Sequence, residues 1–346
     1  MVYRLIVLLL TFWAADIQAQ DLTYKPYAIG FYNVENLFDT LDNTLINDEE
    51  FLPDGKRVWT SDKYEDKIAN LASVISQLGL DLCKQGISIL GISEIENDTV
   101  LSDLIMHPLL KSRNYNYVHC SSRDSRGIDV GLIYDQDEFK VEKWGLVKVD
   151  IESMGSSRPT RDVLWVSGYL DGEKVYISVN HWPSRSGGEK RTAIYRNKAA
   201  EVNRASIDSI LLEDPLAKIF VLGDMNDDPN NDSMTKYLRA KSKIKFVGDD
   251  DMFNPMFEFY KKGIGSTAYR DRWSLFDQVV MSSALVSDEK QGLKFHKAVI
   301  YNKNFLIQKW GQYKGYPFRT FSGDEYQGGY SDHFPVFVYL IKEISS

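Results

Sequence analysis

The chain has 346 residues, 43% of them hydrophobic and 26% charged, with a formal net charge of -8. This is an ordinary globular balance, long enough for one large domain or two small ones, and two cysteines are too few for a disulfide framework. The acidic charge argues against duplex binding by bulk electrostatics. It leaves room for an enzyme that meets a phosphate with a few local cations and a metal.

In chain order, the first segment is MVYRLIVLLLTFWAADIQAQ. One basic residue, Arg4, precedes an apolar run over 5–15, and Ala19 is a small residue suited to cleavage. This predicts a secretory signal peptide over 1–19, too short for a comfortable membrane span, and an exported (periplasmic or extracellular) domain over 20–346. An N-terminal anchor helix is the competing reading. No later segment is apolar enough to span a bilayer. A strand is predicted at 28–32 and a long loop at 39–61. Residues 62–78 place Ile68, Leu71, Ala72, Ile75 and Leu78 at helical spacing, with Asp62 and Glu65 as a capping box and Gly79 as the stop. Strands follow at 87–92, 130–134, 163–169 and 175–179, with a short helix at 98–110. A second long helix covers 191–212, then come a strand at 219–222, a short helix at 232–241 and a loop at 249–272. Strands at 276–281 and 334–341 flank a Gly/Tyr-rich loop at 311–330. Cys83 and Cys120 either pair or stay as buried thiols. No repeat and no Pro/Ser linker divides the chain, so one mixed α/β domain is expected.

The strand termini share a chemistry. Asn33, Glu35 and Asn36 follow the first strand, and Glu94, Glu96 and Asn97 follow the next. Asn180 and His181 follow 175–179. The run 219–222 empties into GDMNDDP, with Asp224, Asn226, Asp227 and Asp228. Asp277 opens one strand, and Asp332 and His333 precede the last. One such terminus is a turn, whereas six suggest a single rim of a sheet. Carboxylates gathered in a cleft repel, and a hard divalent cation removes that cost, so the oxygen-rich set points to Mg2+, Mn2+ or Ca2+ rather than zinc. His107, His119 and His296 lack such company and read as structural. His333 has Asp332 beside it and Asp277 available to orient it. A metal, a His–Asp pair and Asn donors suit attack of water on a phosphate ester.

Seven segments, FYNVENLFD, ILGISEIEN, RGIDVGLIYD, VNHWPSRSGG, VLGDMNDDP, FDQVVMS and YSDHFPVFV, resemble the endonuclease/exonuclease/phosphatase superfamily in the superfamily's own order. The resemblance implies an α/β four-layer α-β-β-α sandwich, two mixed sheets face to face with helices outside, and a site at one edge. It implies Glu94 as the principal metal ligand, with Ser93 in place of the usual Gln, Glu35 where some nucleases of the superfamily have a second acidic ligand, and Asp332 near the metal. It assigns Asp224 to the attacking water, Asn33 to ordering the metal and phosphate site, Asn226 to helping hold the phosphate, His333 with Asp277 to phosphate binding, and His181 to the leaving oxygen. Arg158 and Asn180 are candidate substrate contacts.

The expected activity is Mg2+-dependent phosphoester hydrolysis by a monomer, with a diester such as nucleic acid preferred as substrate. Phosphomonoesters, phospholipid headgroups, sugar or inositol phosphates, and a catalytically inactive binding protein are the alternatives. Trp310, Tyr313, Tyr316, Phe318 and Phe321 either stack on substrate or pack within their loop. Arg185, Lys190 and Arg191, just before the second long helix, either hold an anion or form a solvated basic loop.

Overall fold

The computed structural model describes residues 23–287 and 292–344. The expected leader over 1–19 lies outside the described residues. Strands β1 (Thr23–Leu37), β2 (Ile89–Ile95), β3 (Tyr115–His119) and β4 (Asp129–Asp135) are interleaved with helices α1 (Ser61–Ile75) and α2 (Asp98–Met106). Strands β5 (Phe139–Val147), β6 (Val163–Leu170) and β7 (Glu173–His181) lead to the long helix α3 (Glu189–Glu213) and strand β8 (Lys218–Asp224). Short strands β9 (Ala240–Lys241) and β10 (Met252–Phe253) and helix α4 (Phe257–Lys261) precede a hairpin, β11 (Thr267–Tyr269) and β12 (Arg272–Ser274). The chain closes with β13 (Asp277–Ser282), β14 (Lys294–Ile300), the small pair β15 (Phe321–Ser322) and β16 (Glu325–Tyr326), and β17 (Val336–Ile344).

Two mixed sheets result, ordered β14-β17-β1-β2-β4-β3 and β5-β6-β7-β8-β13-β10-β9. The alternation in β8 shows how they are layered. Phe220 and Leu222 join the core between the sheets, while Ile219 and Val221 pack with Ala199, Ala200 and Ile207 of α3. On the far side α1 and α2 cover the first sheet with Ile68, Leu71, Val74, Leu101 and Leu104. The layers are therefore helix, sheet, sheet, helix, the expected sandwich. Strands buried on both faces explain the near-continuous apolar runs in the sequence.

The eight expected strands are present and most are longer than the apolar runs. The unforeseen ones are informative. β5 and β14 lie at sheet edges and are half exposed, so charged residues break their apolar pattern. The capping box does not form: Thr60 is the N-cap of α1 and no side chain caps it. The helix expected over 232–241 is only a π turn, Ser233–Tyr237. Both cysteines are free. Among the described residues no helix is long and apolar enough to cross a membrane.

Candidate active site

Register builds the rim. In the second sheet β7 runs parallel to β8 and β13 antiparallel, so His181 pairs with Asp224 and Asp224 with Asp277. Three reactive side chains thus stand in a row at one sheet end. Gly223 permits this close row, because a Cβ there would lie 2.5 Å from the Asn180 carbonyl oxygen. In the first sheet Asn33 pairs with Ser93, and Glu94 follows in a bulge before Ile95. Phe31 pairs with Val336, which brings the preceding Asp332 and His333 to the same end.

The two sheet ends are joined by one amide. Asn33 Nδ2 donates to Asp224 Oδ2 at 3.1 Å and to Glu94 Oε1 at 3.3 Å. The Asn36 amide donates to Glu94 Oε2 at 3.0 Å. Glu94 has φ +63°, Glu35 +53° and Asn226 +47°, all left-handed. That conformation is unfavourable for a Glu, and the bulge stores it at the rim.

His333 and His181 are tuned apart. His333 Nδ1 sits 2.6 Å from Asp277 Oδ2, which also accepts from Ser266 Oγ at 2.5 Å. Burial opposes the charge on His333, but Asp277 outweighs it, with Asp332 and Asp224 adding, so its pKa lies well above the usual range. His181 goes the other way. Burial, then repulsion from Arg161, Arg126 and His333, holds its pKa well below the usual value. Asp224 Oδ2 faces both rings, 3.7 Å from His181 Nε2 and 4.0 Å from His333 Nε2. Burial raises the Asp224 carboxyl to about 7 against the pull of His333. The Asn226 amide donates to Asp224 Oδ1 at 2.8 Å, and its side chain donates to the Trp182 carbonyl at 3.0 Å.

The other acids of the GDMNDDP turn face inward. Asp227 Oδ1 meets Arg196 Nε at 2.7 Å and Arg185 Nη2 at 3.2 Å, and Asp228 Oδ2 meets Arg185 Nη2 at 3.2 Å. Asp228 Oδ1 accepts from the Leu275 amide at 2.8 Å. Two of the three carboxylates therefore fix the turn, and one works on the rim. Arg185 donates to the Asn226 carbonyl at 2.8 Å and so is committed to the turn.

Several sequence candidates fall elsewhere. Asn180 is buried, donating to Ser178 Oγ and the Leu222 carbonyl and accepting from Trp182 Nε1 and Asn203 Nδ2. Its side chain braces the strand end and is not presented to the cleft. Glu35 turns away as well: its oxygens accept from the Thr320 amide at 2.6 Å and the Phe321 amide at 3.4 Å. Arg158 is exposed and its side chain makes no hydrogen bond or ion pair among the described residues. Three residues on, Arg161 is the buried one, donating to the carbonyls of His181 and Trp182 and pairing with Asp124 at 2.7 Å. Its position just before a strand was the available signal. His119 has close company after all, with Asp98 Oδ1 at 2.7 Å and Asp129 Oδ2 at 3.1 Å. Of the loop aromatics, Trp310 is 64% exposed, while Tyr316 and Phe321 are buried.

A hard cation fits the donor set. Among the described residues no Lys or Arg lies within ion-pair distance of Glu94 or Asp224, although both carboxylates are largely buried. Asp332 lies beside His333, with Oδ1 3.9 Å from His333 Nε2 and Oδ2 3.6 Å from Arg319 Nη2. Asp224, Asp277 and His333 also bring ligand atoms within 4.8 Å of one another. In that group Asp277 Oδ2 is already engaged by His333 and Ser266, so Glu94 is the better anchor.

Comparison with known proteins agrees with the geometry. D. rerio TDP2 complexed with a single-strand DNA product superposes with TM-score 0.54 at 13% identity, covering 91% of this chain and 98% of that one. The Bacteroides thetaiotaomicron mannosyl-6-phosphatase Bt3783 gives 0.53 at 14%, covering 91% and 99%. The human Nocturnin catalytic domain with bound sulfate gives 0.51 at 14%, covering 93% and 98%. At these identities the likeness establishes the fold. No curated protein matches in sequence. The family model does match, over residues 28–342, and the chain accordingly belongs to the endonuclease/exonuclease/phosphatase family of phosphoester hydrolases.

Proposed function

We propose that the chain is a divalent-metal-dependent phosphodiesterase. The observation that carries this reading is Asp224 Oδ2, set about 4 Å from two histidine nitrogens of opposite character. Water placed there gives its proton to Asp224, whose pKa near 7 suits a general base at neutral pH. The water oxygen bonds to phosphorus as the bond to the leaving oxygen breaks. His333, kept charged by Asp277, donates to a phosphoryl oxygen and neutralises the growing charge. The Asn226 amide donates to Asp224 Oδ1 and so orients the base. His181 is neutral and offers the leaving oxygen a hydrogen bond, and the proton comes from solvent. A divalent cation held by Glu94, with Asp332 nearby, would supply Lewis-acid neutralisation of the phosphoryl group. The relatives that act on DNA and on a sugar phosphate support phosphate-ester chemistry in general.

The test is hydrolysis of bis-(4-nitrophenyl) phosphate by the purified chain, stripped with chelator and then given Mg2+ or Mn2+. Metal-dependent cleavage is expected, lost in His333→Ala, and Glu94→Gln should raise the Mg2+ needed for half-maximal rate. Cleavage that ignores chelator, or an unchanged Mg2+ requirement in Glu94→Gln, overturns the metal assignment. Cleavage of 4-nitrophenyl phosphate alone would make the enzyme a monoesterase.

A further inference from the structure

The hairpin of β11 and β12 has two unlike faces. Its register pairs Thr267 with Ser274, Ala268 with Trp273 and Tyr269 with Arg272. Side chains alternate across a strand, so each pair shares one face. Ala268 is buried and Trp273 stacks on Phe334 at 6.0 Å, which anchors one face to the residue following His333. Thr267 bridges to His333 through the backbone, and its hydroxyl donates to the Asp332 carbonyl at 2.9 Å. The hairpin is thereby fixed to the reaction centre. Its other face, Thr267, Tyr269, Arg272 and Ser274, lines a cavity of about 610 Å3 whose wall also includes His333 and Asn226.

The outer pair of that face, Tyr269 and Arg272, is exposed. Tyr269 is 71% exposed. The Arg272 guanidinium makes no hydrogen bond, ion pair or ring contact among the described residues. The cavity's other arginine, Arg185, is committed to Asp227, Asp228 and Glu189. Arg272 and the exposed Tyr269 ring, which carries the neighbouring Arg270 guanidinium 5.2 Å from its centroid, lie opposite each other in register, open on the phosphate-binding pair and form a recognition surface. An exposed ring offers a face to a flat base, and a guanidinium matches phosphate geometry.

Resting on the phosphodiesterase reading, we propose that this hairpin face is a substrate subsite for a nucleotide-type diester. Tyr269 stacks on the base next to the scissile phosphate, and Arg272 binds the neighbouring phosphate. The substrate is then a strand, or a nucleoside bisphosphate fragment of one, rather than a compact single phosphate. The acidic net charge makes such a local cation more consequential, because the rest of the surface offers a polyanion little attraction.

The experiment is equilibrium binding by calorimetry, which needs no turnover. The probes are thymidine 5′-phosphate, thymidine 3′,5′-bisphosphate and ribose 3,5-bisphosphate, with Mg2+, in wild type, Arg272→Gln and Tyr269→Leu. The second phosphate should tighten binding about tenfold in the wild type, the scale of one charge-assisted contact. Arg272→Gln should erase that ratio, and Tyr269→Leu should erase the preference for thymidine over the baseless ribose. A bisphosphate preference that survives Arg272→Gln overturns the phosphate role. Equal binding of the ribose and thymidine bisphosphates overturns the stacking role. Retained preferences in a chain that cleaves no diester would instead refute the phosphodiesterase reading and leave the subsite standing.

Discussion

Asp277 is fully buried and spends one oxygen on two partners, His333 Nδ1 and Ser266 Oγ. Its carboxylate keeps His333 protonated, so the charge on His333 should set the alkaline limit of activity. In Asp277→Asn the shape and the hydrogen bond survive but the negative charge does not. The His333 pKa then falls, and activity disappears as pH rises through that lower value. The alkaline limb of the kcat/KM profile should move to lower pH, with a loss at pH 8 on the order of 100-fold. An alkaline limb left in place would remove His333 from its charged role. At this scale the sequence showed which residue types gather at the strand ends but not which way they point. Asp224 and Asp227 stand three apart in one turn. Only the arrival of Arg185 and Arg196 from α3 and its preceding loop turns Asp227 inward. The resemblance ranks Glu35 as a second ligand behind Glu94, and only the Thr320 amide shows that it turns away.

The element that carries Asp332 and His333 is fastened from below by α1. Lys67, fully buried on that helix, donates to Thr320 Oγ1 and to the Tyr330 carbonyl at 2.7 Å. One ammonium thus ties both ends of residues 320–330, and Glu35 holds the first of them. Ser331 follows directly, bonding the Asn33 carbonyl at 2.7 Å and accepting from the His333 amide at 3.0 Å. In Lys67→Met the helix keeps its packing, while the hydroxyl and carbonyl lose their donor. The expected cost is about 1–3 kcal/mol of stability, read as a lower thermal midpoint. A kcat reduced more than KM is raised should accompany it, because the segment bearing His333 loosens. Unchanged midpoint and kcat would show that Glu35 and the aromatic cluster around Trp59 and Phe321 suffice. Sequence periodicity revealed α1 and the buried strands, because two covered faces leave strong apolar runs. It missed β3, β5 and β14, whose half-exposed edges mix polar or charged residues with apolar ones, and it could not see Lys67 as buried, since a lysine among helical apolar positions reads as solvated surface.

The site straddles two sheets that share one core, so the charges of the rim belong to the stability of the whole molecule. Residues of both sheets, from Phe31 and Leu90 to Val179 and Leu222, pack in a single cluster, and a single unfolding transition is expected. Folding must bury carboxylates at its edge. Burial raises Asp224, Glu35 and Glu96 each to about 7, well above the ordinary carboxylate range of an unfolded chain. A carboxyl whose folded pKa is raised stabilises the fold fully below its unfolded pKa. That contribution is lost as pH climbs through the folded value. With chelator present, the thermal midpoint should therefore fall between pH 6.5 and 8, by roughly 3 °C or more, opposite to the trend that ordinary salt-bridged acids give. Asp224→Asn removes one of the three groups and should show a shallower fall together with a higher midpoint at pH 8. Mg2+ should raise the wild-type midpoint at pH 8 by giving the buried Asp224 carboxylate a counter-charge, and should do so less in Glu94→Gln. A midpoint that stays flat or rises across this window in chelator would mean these three carboxylates are stabilised by the fold itself. The case for a cation that completes the site would then rest on the catalytic measurements alone.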